Sequence, residues 1–170
     1  MNKMKTRIIT TAVALLAATS TSNLMGATSG NLGLSGSVPV ILELTVNPTA
    51  AATTLTPSGD VSSVSIGTVV ESCNDADGYT VSVSSSNGVT DSANTGVLTG
   101  ATAGEDLAYT LSYGGANVSF SSGSATVTDV IAKSSADGDV KDVLITYDGS
   151  SSNLAADSYS DTLTFTIAAK

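Results

Sequence analysis

The sequence predicts an all-β protein, an antiparallel β-sandwich of immunoglobulin-like type. Ser and Thr contribute 27 and 24 of the 170 residues, whereas charged residues make up 12% and aromatic residues 4%. Six to eight short stretches alternate apolar and polar residues and are separated by turn signals. No convincing 3.6-residue period follows residue 27.

The first 27 residues have the organisation of a secretory signal peptide. Residues 1–7 are basic, and residues 8–18 form an apolar run too short to span a bilayer. We place cleavage after Ala27, with a site near residues 18–22 as the alternative. We therefore expect export through the periplasm to the cell surface, and no later stretch has the roughly 20 apolar residues of a membrane span.

The charge and composition exclude several classes of function. The net charge is -9, and three of the six basic residues lie in residues 1–7. A chain this acidic lacks a basic face for nucleic acid or for an anionic membrane. Without His and with one Cys, it cannot form a Ser-His-Asp triad, a His-ligated metal site or a CxxC pair. We predict no enzyme activity and no cofactor.

The predicted strands follow one another along residues 37–170. Residues 37–46 alternate around Val38, Val40, Leu42 and Leu44, and residues 49–60 form a long loop. Residues 107–113 and 117–120 flank Gly114-Gly115 and form the clearest hairpin. The remaining predicted strands cover residues 64–70, 79–84, 97–99, 125–131, 143–147 and 159–167.

The acidic clusters are better explained as turns than as chemical sites. Residues 74–78 (Asn-Asp-Ala-Asp-Gly) resemble the start of a calcium loop, but Gly78 replaces the third oxygen ligand and no closing Glu follows. Residues 137–139 are also interpreted as a turn. Glu105-Asp106 could supply half of an acid/base pair, but no motif supplies the second carboxylate.

Cys73 is the single cysteine of the chain. The first interpretation is a small buried apolar side chain, because free Cys is among the most buried residue types. The alternative is an intermolecular disulfide, which electrophoresis without reductant would reveal.

Several segments resemble the spore coat protein U type of secreted pilin domain, a family that includes subunits of archaic chaperone-usher pili. They are Ser72-Cys73, residues 78–83, residues 107–111, residues 145–147 and above all residues 155–167, whose most specific part is Tyr159-Ser160-Asp161-Thr162-Leu163. The resemblance covers roughly residues 37–170. It implies an incomplete immunoglobulin fold that receives its last strand from a neighbouring subunit. The family commonly pairs a first-strand Cys with one before the Tyr strand, and this sequence keeps only Cys73.

An amino-terminal extension at residues 28–36 is the candidate donor strand. Leu32 and Leu34 alternate there, as an added strand requires to fill pockets while its backbone extends a sheet. The alternative is a leader remnant with two incidental leucines. The candidate donor residues are Leu32, Leu34, Val38 and Val40.

Two functions follow from these observations. The first is a structural subunit of a bacterial fimbria or pilus, serving adhesion or biofilm formation. Its expected partners are related pilin subunits, a periplasmic chaperone and an outer-membrane usher. The second is a monomeric secreted binding module for carbohydrate, completed by its own amino-terminal segment.

Overall fold

A computed structural model describes residues 28–88 and 94–170, which fall into two units, residues 28–37 and 38–170. The predicted signal peptide lies outside the described residues. Residues 28–37 form no helix or strand. In the second unit the elements comprise ten strands and a 3₁₀ helix, Ala50–Thr53. The strands are β1 Leu42–Pro48, β2 Asp60–Cys73, β3 Tyr79–Ser85, β4 Gly96–Gly100, β5 Asp106–Tyr113, β6 Ala116–Asn117, β7 Ser124–Val130, β8 Asp139–Asp148, β9 Tyr159–Ser160 and β10 Leu163–Ala169.

The second unit is a β-sandwich-like arrangement of two antiparallel sheets, so the coarse fold prediction is confirmed. The large sheet has the strand order β1-β2-β8-β5-β4-β9, with β6 paired to β5. The small sheet has the order β10-β3-β7. Within the described ranges no α-helix is present, and no helix has the length and apolar character needed to cross a membrane.

The core lies between the two sheets, and β3, β5 and β8 alternate buried with more exposed positions. In β3, for example, Tyr79, Val81 and Val83 are fully buried. The large sheet supplies most of the remaining core. The main buried cluster consists of Val69, Val83, Leu98, Leu107, Tyr109, Leu111, Tyr113, Val118, Phe120, Val143, Ile145 and Tyr147.

The first strand was predicted over residues 37–46, and its start was wrong. The structure begins β1 at Leu42 and continues it to Pro48. The preceding segment is held by a side chain instead of a strand ladder. The Nδ2 atom of Asn74 donates to the Pro39 carbonyl at 2.7 Å, and the Ile41 amide donates to Oδ1 of Asn74 at 2.8 Å.

The last predicted strand, residues 159–167, is divided between the two sheets. β9 pairs with β4 in the large sheet, whereas β10 pairs with β3 in the small sheet. A single strand over residues 159–167 would place Tyr159 on the same face as Leu163, Phe165 and Ile167. The structure places Tyr159 in the other sheet, so that expectation was wrong. The chain crosses from one sheet to the other at Asp161 and Thr162.

Candidate functional site

A groove of about 640 Å³ opens along one side of the sandwich, next to β1 and β10. These are edge strands of the large and the small sheet, and they contact each other without pairing. Val46 and Pro48 contribute to the groove from β1, and Leu163 and Phe165 from β10. Further lining comes from Ala52, Thr53, Leu55, Pro57, Ile66, Gly67, Leu98, Tyr109, Val143, Ile145 and residues 157–161.

The apolar residues beside the groove are incompletely covered. Leu42 and Val46 of β1 are 37% and 47% exposed, although both lie on the inward face that their partners Cys73 and Val69 share. On β10, Leu163, Phe165 and Ile167 are only half-buried. Each Å² of apolar surface removed from water contributes about 25 cal/mol of stabilisation, so binding of an apolar segment here would be favourable.

Among the described residues, no strand pairs with the outer edge of β10, which leaves backbone groups open there. The Ser86 amide donates to the Thr162 carbonyl at 2.9 Å, and the Lys170 amide donates to the Gly78 carbonyl at 3.2 Å. In a regular antiparallel ladder, even-numbered residues between these points also direct their N–H and C=O groups towards β3. Residues 163, 165, 167 and 169 therefore direct theirs to the open edge, where an added strand can pair with them.

Asp161 fastens the end of the groove where the chain changes sheets. Its carboxylate accepts hydrogen bonds from the side chains of Ser85 (2.5 Å), Ser86 (2.8 Å) and Tyr109 (2.6 Å). It also accepts from the backbone amide of Asn87 at 3.1 Å. Tyr109 belongs to the large sheet and Ser85 to the small one, so this single carboxylate connects the two sheets.

These hydrogen bonds control the ionisation of Asp161. Burial alone would raise the pKa of its carboxyl, but the bonds from Ser85, Tyr109 and Ser86 outweigh burial and lower it. The neighbouring Asp157 carboxylate accepts from the amides of Ala103, Thr102 and Ser158, which lowers its pKa as well. Both carboxylates at this end of the groove are held as hydrogen-bonded anions.

A second carboxylate connects the sheets in the core. Glu71 of β2 is fully buried, and Tyr113 and Thr128 donate to its Oε1 atom at 2.5 and 2.7 Å. The Tyr79 hydroxyl lies 3.1 Å from Oε2 of Glu71 and 3.1 Å from Oδ2 of Asp139, so its one proton serves one of them at a time. Burial, followed by the interaction with Glu71, raises the pKa of both tyrosines.

The predicted donor residues are exposed side chains outside any strand. Leu32 and Leu34 are 86% and 89% exposed, and Val38 and Val40 are 83% and 78% exposed. Their role in strand donation stays a prediction. Sequence reasoning missed Glu71 and the role of Asp161, although the Tyr-x-Asp-Thr-Leu motif that contains Asp161 had been singled out.

The other polar residues considered from sequence have structural partners. The Asp75 carboxylate accepts from the Asp77 amide at 3.0 Å, and Gly78 has φ of 91°, as a turn requires. Glu105 accepts from the Ala155 amide at 2.6 Å, and Asp106 accepts from the Thr99 hydroxyl at 2.7 Å. In residues 28–88 and 94–170 no group of three or more acidic or Cys side chains is arranged to hold a metal ion.

The Cys73 side chain is buried, with 3% of its surface exposed. Its sulfur atom accepts a hydrogen bond from the Asp75 amide at 3.4 Å. The expectation of a small buried side chain is confirmed, and an intermolecular disulfide would first require this strand end to open.

Comparison with known proteins does not assign the chain to a family. No protein-family model matches the chain, and no curated protein matches it.

Proposed function

We propose that this chain is a structural subunit of a bacterial surface fimbria, assembled when a segment of one copy enters the groove of the next. The observation that carries the proposal is the groove beside the open edge of β10. An edge strand with unpaired backbone groups and half-buried apolar side chains recruits another strand.

The segment at residues 28–41 of a second copy is the proposed occupant, and on joining, residues 39–41 would exchange their hydrogen bonds to Asn74 for bonds to β10. It contains no charged residue, and Leu32, Leu34, Val38 and Val40 all fall on the same side of an extended chain. Their exposed apolar side chains match a groove whose walls are mainly apolar. Pairing with β10 would extend the three-stranded sheet by one strand.

The same proposal explains why a chaperone and an usher are expected partners. A subunit with an open groove exposes apolar surface before assembly, so a periplasmic chaperone would cover the groove and an outer-membrane usher would order the joining of subunits. The immunoglobulin-like character of the sandwich and its membership of the secreted pilin family belong to this proposal. Adhesion and biofilm formation are the roles we propose for the assembled fibre.

The test compares two pairs of substitutions in the extension. Leu32→Asp with Leu34→Asp places charges on the side that would enter the groove, where an unpaired charge is costly. The matched control, Asn31→Asp with Ser35→Asp, adds the same charge to the opposite side. Electron microscopy of producing cells should show fibres from the control and none from the leucine variant, whereas fibres of normal length from both would rule out this donor segment.

A chain lacking residues 28–36 separates the fimbrial subunit from the monomeric module. The fimbrial proposal predicts a folded monomer that binds a peptide of residues 28–41 and that caps intact subunits as dimers, which native mass spectrometry detects. A self-completed carbohydrate-binding module would lose thermal stability on this deletion and form no capped dimers.

A further inference from the structure

Glu71 is a buried acidic residue, and within residues 28–88 and 94–170 it forms no ion pair. In the described part of the chain the only ion pair joins Lys170 and Asp129. Asp139 of β8 shares the Tyr79 hydroxyl with Glu71, and hydrogen bonds from Ser135 and Tyr79, with a smaller contribution from Lys141, lower the pKa of Asp139. A buried acidic residue without a cation contributes little to folding stability, because networks of apolar side chains with similar volume often stabilise a protein as much or more.

The donors to Glu71 come from both sheets. Tyr113 lies on β5 of the large sheet, whereas Tyr79 and Thr128 lie on β3 and β7 of the small sheet. Both oxygens of the carboxylate are engaged, so its position fixes the position of these hydroxyl groups. Among them, Tyr113 has a further contact that leads to the groove.

The ring of Tyr113 stacks on the ring of Phe165, with centroids 5.7 Å apart and an interplanar angle of 28°. Phe165 lines the groove from β10, and its backbone N–H and C=O groups are among those directed to the open edge. A continuous set of contacts therefore runs from the Glu71 carboxylate through Tyr113 to the groove wall.

We infer that Glu71 is a positioning residue for strand binding: through Tyr113 it holds Phe165 and the edge of β10 in the geometry that accepts a second copy's segment. This inference rests on the proposed function and adds the determinant that preorganises the groove. Preorganisation raises affinity because less ordering remains to be done on binding. The hydrogen-bonding geometry of residue 71 should therefore affect peptide affinity independently of folding stability.

Two substitutions separate positioning from stability. Glu71→Gln keeps the side-chain shape and leaves an oxygen that accepts from Tyr113 and Thr128, so it should bind the peptide within about threefold of wild type. Glu71→Leu removes every acceptor and leaves the buried hydroxyl groups of Tyr113 and Thr128 without a partner, so its melting temperature should fall. At a temperature where it remains folded, we expect it to bind the peptide at least about tenfold more weakly.

The experiment uses the chain without residues 28–36, a synthetic peptide of residues 28–41 and calorimetry, with melting curves for each variant. Binding is measured at a temperature at which the melting curves show every variant folded, and there weaker binding by Glu71→Leu with near-normal binding by Glu71→Gln would support the inference. Equal affinities for wild type and Glu71→Leu would overturn it. An affinity loss that appears only at temperatures where Glu71→Leu begins to unfold would also overturn it, because that loss would indicate a structural role alone.

The NMR resonances of the Phe165 ring distinguish this inference from the proposed function. If wild type fails to bind the peptide, donation by residues 28–41 is wrong, and the ring resonances still test the positioning. Displaced ring resonances in Glu71→Leu but not in Glu71→Gln would then support the positioning role, whereas unchanged resonances in both would overturn it.

Discussion

A cysteine at position 42 should form a disulfide with Cys73. Leu42 is the Cα partner of Cys73 in the β1–β2 ladder. The adjacent pair, Ile41 and Asn74, is joined by the hydrogen bond from the Asn74 amide to the Ile41 carbonyl at 3.1 Å. Leu42 and Cys73 therefore form a non-hydrogen-bonded pair, whose Cα atoms lie about 4.5 Å apart and within the range of natural disulfides.

The stabilisation follows from the size of the closed loop. A bond from residue 42 to residue 73 encloses about 32 residues, which lowers the entropy of the unfolded chain by an amount worth about 3 to 4 kcal/mol. For a domain of this size the midpoint of thermal unfolding should rise by about 10 °C. Loss of the Leu42 side chain reduces this gain only modestly, because that side chain is 37% exposed.

The assay is thiol titration of the unfolded Leu42→Cys variant, followed by melting with and without reductant. Oxidised protein should contain no free thiol, and reductant should remove the gain in melting temperature. Glu43→Cys is the matched control, because residue 43 pairs with Ser72 and points to the opposite face. Two free thiols in oxidised Leu42→Cys would show that the register of β1 is wrong.

Three further changes test the groove and the core, each by thermal or chemical unfolding. Asp161→Asn should lower the free energy of unfolding by about 1 to 3 kcal/mol because buried donors lose a charged acceptor. Since the folded-state pKa of Asp161 is lowered, wild type should lose this stability as pH falls below about 4. An equally steep loss of stability in acid by the variant would contradict this role of Asp161. Phe165→Ala should cost about 3 kcal/mol, the lower end for such truncations because the ring is half-buried, and an unchanged melting curve would show that the ring does not pack inward. Cys73→Ser should cost about 1 to 2 kcal/mol and leave assembly intact, and the native thiol should react slowly; rapid labelling would contradict its burial.

The sequence was sufficient for the strands whose signals are local. The turn at Gly114-Gly115 has φ values of 55° and 87°, conformations that glycine adopts without strain, and the predicted hairpin forms there. The predicted strand 79–84 appears as β3, because its alternation matches one buried face. Local patterns of this kind depend on neighbours within a few residues.

The strand bounds that were predicted wrongly depend on contacts with residues far away in the sequence. Asp161 is the one polar residue at an apolar position of residues 159–167, and only the pairing of β9 with β4 and of β10 with β3 reveals that the segment changes sheets there. The start of β1 was misplaced because Asn74, more than 30 residues away, binds Pro39 and Ile41. The groove likewise needs two edges that only the tertiary fold places side by side.

The crossing at Asp161 has a mechanical consequence. In the proposed fibre, tension along its length would load each subunit through β10 and would reach the small sheet as shear along the seven paired residues of β10 and β3. Antiparallel strands sheared lengthwise must break their hydrogen bonds together. Because the same chain continues through Asp161 into β9, and Asp161 is bonded to both sheets, part of that tension would pass to the large sheet as well.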